Sequence, residues 1–278
     1  MNPAAVPQRP PPLWLLVLIT LSGTLAMHMF VPALPDAAPS FGVAPAIVQA
    51  TISIYIVGLA LGQLVYGPLS DALGRRPLLL IGLALYAAGS IAAMLAGSAQ
   101  ALIVARLVQA LGGCAGLALG RAMVRDTNAP GEAVRALALL NLMMMIGPGL
   151  APLIGSGLVG LGGWRAVFAA LALAGTATLW LTWRMVPETG MPTGRVSPGA
   201  LARDYTALLR SPRFMAYAVG GGCATTAVYA FIAAAPFIIT EQLHRPLRDV
   251  GLSLALVAVG MAIGNALTRR LALTVPLD

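Results

Sequence analysis

The sequence predicts an all-α membrane protein, a bundle of eight transmembrane helices. Three observations predict it. Of 278 residues, 59% are hydrophobic and only 9% are charged, whereas roughly a quarter of a soluble chain is charged. Mean hydropathy is +0.87. Apolar runs of about 20 residues, the length that crosses a bilayer as a helix, recur along the whole chain. The net charge of +8 then calls for no nucleic-acid partner, because basic residues of such proteins gather on cytoplasmic loops.

The elements follow in order. Residues 1–12, MNPAAVPQRPPP, are Pro-rich with one charge, Arg9, and read as a disordered cytoplasmic tail. The next apolar run is too long for the core of a cleaved signal peptide. Spans are expected at Leu13–Val31, Ala46–Tyr66, Pro77–Gly97 and Ala101–Met123, separated by PALPDAAPS, GPLSDALGRRP and AGSAQ. These separators carry the Pro, Gly, Ser and Asp of turns. After RDTNAPGE come Val134–Leu158 and Trp164–Arg184, with GLGG between them. A Pro-, Gly- and Arg-rich stretch then divides these six spans from Met215–Ile239 and Val250–Leu271, which flank EQLHRPLRD. Residues 13–186 read as a six-helix half and 187–213 as a cytoplasmic linker. Within the linker, ALARDYTALLRS fits a short amphipathic helix. Residues 214–278 read as an incomplete second half of two helices. Six helices, a linker and a further pair suggest a protein built from six-helix halves, the second of them incomplete.

The basic residues orient the bundle. All 17 are Arg. With the N-terminus cytoplasmic, Arg165, Arg245 and Arg248 fall outside and Arg106 within the membrane, which leaves thirteen inside. That asymmetry places both termini in the cytoplasm.

Few residues could carry chemistry. Cys114 and Cys223 lie in apolar runs without metal-ligand company and read as small packing residues. There is no nucleotide-binding loop, His/Cys cluster or Ser-His-Asp arrangement, so no enzyme activity, metal or cofactor is expected. Arg106 within a span must face a cavity and find partners, or snorkel to the interface. Gln109, one turn on, could share its hydrogen bonds. His28 in the first span is either a proton carrier or a satisfied polar group near the helix end. Gly147, Pro148, Pro152 and Gly155 interrupt the fifth span and fit either a bent packing helix or a close helix crossing. Gly67 and Gly74 permit tight backbone approach around Asp71, which can meet a helix N-terminus or pair with Arg. Arg75 and Arg76 would anchor the inner leaflet. A central substrate pocket could draw on His28, Tyr55, Gln63, Asn141, Met143, Met144, Met145, Tyr229 and Phe231.

Gly67-Pro68-Leu69-Ser70-Asp71-Ala72-Leu73-Gly74-Arg75-Arg76-Pro77 resembles the signature loop of the major facilitator superfamily, G-x-L-[AS]-D-x-x-G-R-[RK]. LIVARLVQALGG (102–113) looks like the fourth-helix motif R-x-x-Q-G, with Ala110 in place of its Gly. IGPGLAPLIGS (146–156) is similar to the fifth-helix antiporter motif, and GWRAVF (163–168) to the entry of the sixth helix. VPALPDAAPSFGV, the second-span region and RAMVRD resemble the Bcr/CflA-type (bicyclomycin-resistance) drug:proton antiporters. The resemblance implies twelve helices in two halves, of which this chain carries eight and so reads as C-terminally truncated. It implies a gate role for Asp71, Arg75 and Arg76, proton coupling at Arg106, and sealing of a closed state by the fifth-helix motif. It places His28 where a carboxylate is expected. The implied function is efflux of drug-like small molecules against protons across a bacterial inner membrane. The alternative is a non-transporting remnant or a membrane partner of a full-length transporter.

Overall fold

A computed structural model of the chain describes residues 10–194 and 198–272. The predicted tail lies almost wholly outside the described residues, as do residues 195–197 and 273–278. All regular structure among the described residues is helical. The helices are α1 (Leu13–Phe30), α2 (Leu34–Phe41), α3 (Pro45–Leu73), α4 (Arg75–Met94), α5 (Ala99–Thr127), α6 (Pro130–Met185), α7 (Pro198–Arg210), α8 (Pro212–Phe237) and α9 (Leu247–Ala272). In a bilayer only structures that satisfy their own backbone groups survive, and the helix does so within one segment. Among the described residues, six helical stretches are long and apolar enough to cross a membrane: 13–41, 45–73, 75–94, 99–127, 149–185 and 212–242. The predicted fifth and eighth spans are helical as well, in the first arm of α6 and in α9.

The boundaries depart from expectation in three places. The expected turn PALPDAAPS is helical: a short 3₁₀ turn, Val31–Ala33, leads into α2. Pro32 and Pro35 each sit in a first helical turn, where no intrahelical N–H is required. The expected loop Gly67–Pro77 contracts to one residue, because α3 runs to Leu73 and α4 begins at Arg75. Gly74 makes the whole reversal at φ 101°, a region that favours glycine. Gly67 is helical with open space around it, so it does not mediate a close approach. Finally, α6 passes through Pro148 and Pro152 unbroken. Its two arms, 130–161 and 164–185, divide at Gly162 and Gly163, where Gly163 takes φ 68°.

Packing distinguishes the two ends of the bundle. A large apolar cluster at the α2 end joins Met27, Phe30, Tyr55, Phe168, Ile232 and Val250. A second cluster at the Gly74 end joins Leu16, Leu79, Met123, Leu140 and Val186. Among the described residues, α8, the helical turn 238–242 after it and α9 enter only the first, through Ile232, Ala235, Phe237, Ile239, Val250 and Leu254. The opposite end of α8 leaves Phe214, Tyr217 and Val219 exposed. Helix α8 therefore packs against the preceding helices at the α2 end, while its opposite end stands exposed.

Small residues set the closeness of these helices. A Cβ on Gly155 of α6 would lie 2.1 Å from the Met29 carbonyl oxygen of α1, and one on Gly112 of α5 2.2 Å from the Tyr86 nitrogen of α4. Membrane helices associate through such backbone approach, since lipid supplies no hydrophobic drive between them.

Candidate functional site

Three groups of polar residues stand out in this apolar frame. The first is buried on α5. Arg106 is 0% exposed, which excludes snorkelling. One terminal nitrogen, Nη1, donates to the Ala26 carbonyl of α1 at 3.1 Å and to Gln109 Oε1 at 2.6 Å. Gln109 Nε2 donates to Ser90 Oγ at 2.8 Å, and Ser90 Oγ donates to the Tyr86 carbonyl at 2.7 Å. The guanidinium lies 4.0 Å from the Tyr55 ring centroid, 5.4 Å from Phe30 and 5.8 Å from Phe168. Aromatic faces stabilise a desolvated cation through their quadrupoles. Among the described residues Nε and Nη2 have no hydrogen-bond partner, and no carboxylate pairs with Arg106. Tyr55 is fully buried beneath it and donates to the Gly23 carbonyl at 2.7 Å.

The second group lines a cavity of about 300 Å³ between α1, α6, α8 and α9. His28 of α1 and Tyr229 of α8 face each other there, with ring centroids 6.1 Å apart. Pro152 of α6 and Leu254 and Met261 of α9 are among the remaining wall. His28 Nδ1 donates to the Thr24 carbonyl at 2.8 Å. Thus His28 is both a satisfied polar group and part of a cavity wall.

The third group sits at the Gly74 end. Arg75 Nη1 pairs with Asp71 Oδ1 at 2.7 Å and bonds Ser70 Oγ, while Nε donates to Asp126 Oδ2 at 3.1 Å. Glu188, just beyond α6, covers the start of α4. Its Oε1 accepts from the Arg75 backbone N–H at 2.8 Å and its Oε2 from that of Arg76 at 3.2 Å. Oε1 also accepts from Thr189 and Gly190 at 3.0 and 2.9 Å. Two backbone bonds, Thr193 to the Asp71 carbonyl and Gly194 to that of Ala72, tie the linker to the end of α3 at 3.0 Å each. A side chain at Gly74 would meet Glu188 Oε2 at 2.5 Å. Arg76 Nη2 donates to the Trp183 carbonyl at 2.8 Å, so its guanidinium folds back on α6.

The structure thus brings Asp71, Gly74, Arg75 and Arg76 together, and His28 with Tyr229. It separates other members of the expected pocket. Gln63 and Asn141 are exposed. Met144 lies partly buried, its Sδ accepting from Arg121 Nη2 at 3.2 Å. Phe231 is exposed, one residue from the buried Ile232. Met143 is partly buried away from the cavity wall. Within the fifth-helix motif, Gly155 meets α1, and Pro152 lines the cavity. Gly149 lies against Ala258 of α9. Gly147 and Pro148 are helical, and their side chains, with that of Met145, fall outside the described ones. Glu188, Asp126 and the aromatic ring of Phe30 and Phe168 around Arg106 were not foreseen from sequence. For Glu188 the one available signal was a lone acid directly after a span, on an otherwise Arg-rich face.

The sequence profile of the Major Facilitator Superfamily matches residues 16–276. The chain belongs to that superfamily. A relative from Rickettsia felis, described as an uncharacterized transporter, is 31% identical over 232 residues, covering 84% of this chain and 57% of its own length. The multidrug transporter MdfA of Yersinia pestis is 28% identical over 257 residues, 92% of this chain and 63% of that protein. Among solved structures, a bacterial homolog of the human lysosomal transporter Spinster, inward-facing and occupied, superposes with TM-score 0.77 at 18% identity, over 96% of this chain and 62% of that one. A D-xylose-proton symporter superposes with TM-score 0.67 at 14% identity, over 89% and 65%. This facilitator-type chain therefore spans about three fifths of the length of the curated relatives it matches. Its family is one of transporters, not enzymes.

Proposed function

We propose that this facilitator-type chain serves multidrug efflux of the Bcr/CflA kind, exchanging a drug-like small molecule for protons across a bacterial inner membrane. The observation that carries the reading is the His28–Tyr229 cavity at the seam between the six-helix half and α8–α9, with the buried cation Arg106 behind one wall. Intramembrane ionisable residues are costly and mark pathways for substrate or protons. His28 and Arg106 are the proposed coupling pair, linked through α1: Arg106 holds the Ala26 carbonyl, two residues before His28. With both termini cytoplasmic, the α2 end faces outward and is closed by α8 and α9. The Gly74 end faces the cytoplasm, where Asp71, Arg75 and Arg76 act as gate. The similarity to the multidrug transporter MdfA supports the substrate class. The test is drug-driven proton movement in vesicles carrying the protein, read with an internal pH dye. His28→Ala and Arg106→Ala should each abolish it. Intact drug-driven proton flux in both variants sinks the coupling assignment.

One observation favours a second reading. Leu252, Leu256, Val259, Ile263 and Leu267 leave α9 with an exposed apolar face. A membrane partner covering that face would make the chain an interaction module, and vesicles carrying it alone would then show no flux.

A further inference from the structure

The cavity between α1, α6, α8 and α9 is unusual in its charges. Among the described residues its wall is apolar apart from His28, Thr225 and Tyr229, and the Thr225 hydroxyl is engaged with the Gly221 carbonyl of its own helix at 2.8 Å. No acidic side chain among the described residues lines it. The well-placed acids are engaged elsewhere. Asp36 accepts the Trp164 backbone N–H at 2.7 Å, Asp71 and Asp126 hold Arg75, Glu188 covers the start of α4, and Asp249 lies beside Arg248.

His28 supplies a specific polar feature. Its Nδ1 partner is a carbonyl oxygen, which only accepts, so Nδ1 carries the proton. In the neutral ring Nε2 is then an acceptor. His28 lines the wall, and its neutral ring carries this lone pair without a charge. Behind it, Arg106 is a buried cation with no carboxylate partner among the described residues. Charges interact strongly across a low-dielectric interior, so its field opposes a second cation in the cavity. An anion gains little in return, because Tyr55, Phe30 and Phe168 cover the guanidinium.

We infer that this cavity selects uncharged, largely apolar molecules bearing a hydroxyl or amide N–H, and rejects monocations. The inference rests on the reading of the cavity as the substrate site. It assigns His28 as the hydrogen-bond acceptor that fixes the polar end of the ligand, with the apolar body against Ile232, Leu254 and Met261.

The test uses one apolar body with four polar ends: 4-tert-butylbenzyl alcohol, its methyl ether, 4-tert-butylbenzylamine and 4-tert-butylbenzoate. Binding to the full chain in lipid nanodiscs is measured by ligand-observed NMR at neutral pH, with empty discs subtracted. The alcohol should bind about tenfold more tightly than the protonated amine, since a desolvated unpaired cation is heavily penalised. It should also exceed the ether about fivefold, through the one hydrogen bond to Nε2. His28→Leu should erase the alcohol–ether difference, and His28→Asp should turn the preference toward the amine. The alcohol–ether and alcohol–amine ratios on the unmodified chain decide the matter even if a variant fails to fold. Amine or benzoate binding equal to or above that of the alcohol overturns the inference and leaves the transport reading standing. Equal alcohol and ether binding overturns the role of Nε2. Binding of none of the four above empty discs overturns both the inference and the reading of the cavity as a substrate site.

Discussion

Replacing Glu188 by Ala should loosen the Gly74 end of the bundle. The carboxylate accepts the first two backbone N–H groups of α4, from Arg75 and Arg76, at 2.8 and 3.2 Å. Those donors belong to a helix N-terminus, where no intrahelical acceptor exists and the dipole favours an anion. Hydrogen bonds to a charged group contribute roughly 1.5–3 kcal/mol each when fully enclosed. Glu188 is only half-buried, so water recovers part of the loss. The local bonds to Thr189 and Gly190 rehydrate readily. Two long-range bonds at about 1 kcal/mol each, with a few tenths from the dipole, give a loss of about 2–3 kcal/mol. Glu188→Gln retains one acceptor oxygen and should lose about 1 kcal/mol. The assay is reversible unfolding in mixed micelles of dodecylmaltoside and increasing dodecyl sulfate, followed by tryptophan fluorescence, to which nearby Trp183 contributes. A loss below about 0.5 kcal/mol for Ala, the level of an ordinary surface substitution, refutes the reasoning. So does an equal loss for Ala and Gln.

Two further outcomes are expected. Gly155→Leu places a side chain where even a Cβ would lie 2.1 Å from the Met29 backbone. Overpacking of this kind costs about 1–3 kcal/mol, and cysteines placed across the α1–α6 contact should crosslink more slowly in the variant. Tyr55→Phe removes the hydrogen bond to the Gly23 carbonyl but keeps the ring against Arg106. A loss of about 1 kcal/mol in the same unfolding assay is expected, whereas Tyr55→Leu should lose more, because the cation also loses an aromatic face.

Much of this architecture is legible in the chain itself. Hydropathy places the helices within a few residues because a bilayer demands length and apolarity from each span, whatever its neighbours are. The stretch around Asp71 and Arg75 is legible for a similar reason: the two residues are four apart in sequence, on either side of the Gly74 reversal, so their ion pair is local. Arg106 with Gln109 is the same case at a spacing of three. The division of α6 at Gly162 and Gly163 follows from GLGG, although the prolines upstream draw attention first. A membrane helix tolerates proline when its neighbours take up the freed groups.

What the chain does not disclose on its own is which distant residues meet. Tyr55 reads as a pocket residue from its position in a span, yet tertiary packing sets it under Arg106 as part of an aromatic enclosure. Glu188 reads as one acid in a polar linker, yet it lies across the start of α4, more than 110 residues earlier in the chain. His28 and Tyr229 are separated by most of the chain and share one cavity wall. Local sequence determined the helices, a reversal somewhere between Gly67 and Pro77 and the sign of the charges at each end, because those depend on hydration and backbone geometry within a turn or two. Only the tertiary structure decided the polar pairings, because a buried polar group takes whichever partner close packing leaves within about 3 Å, and sequence separation does not enter that choice.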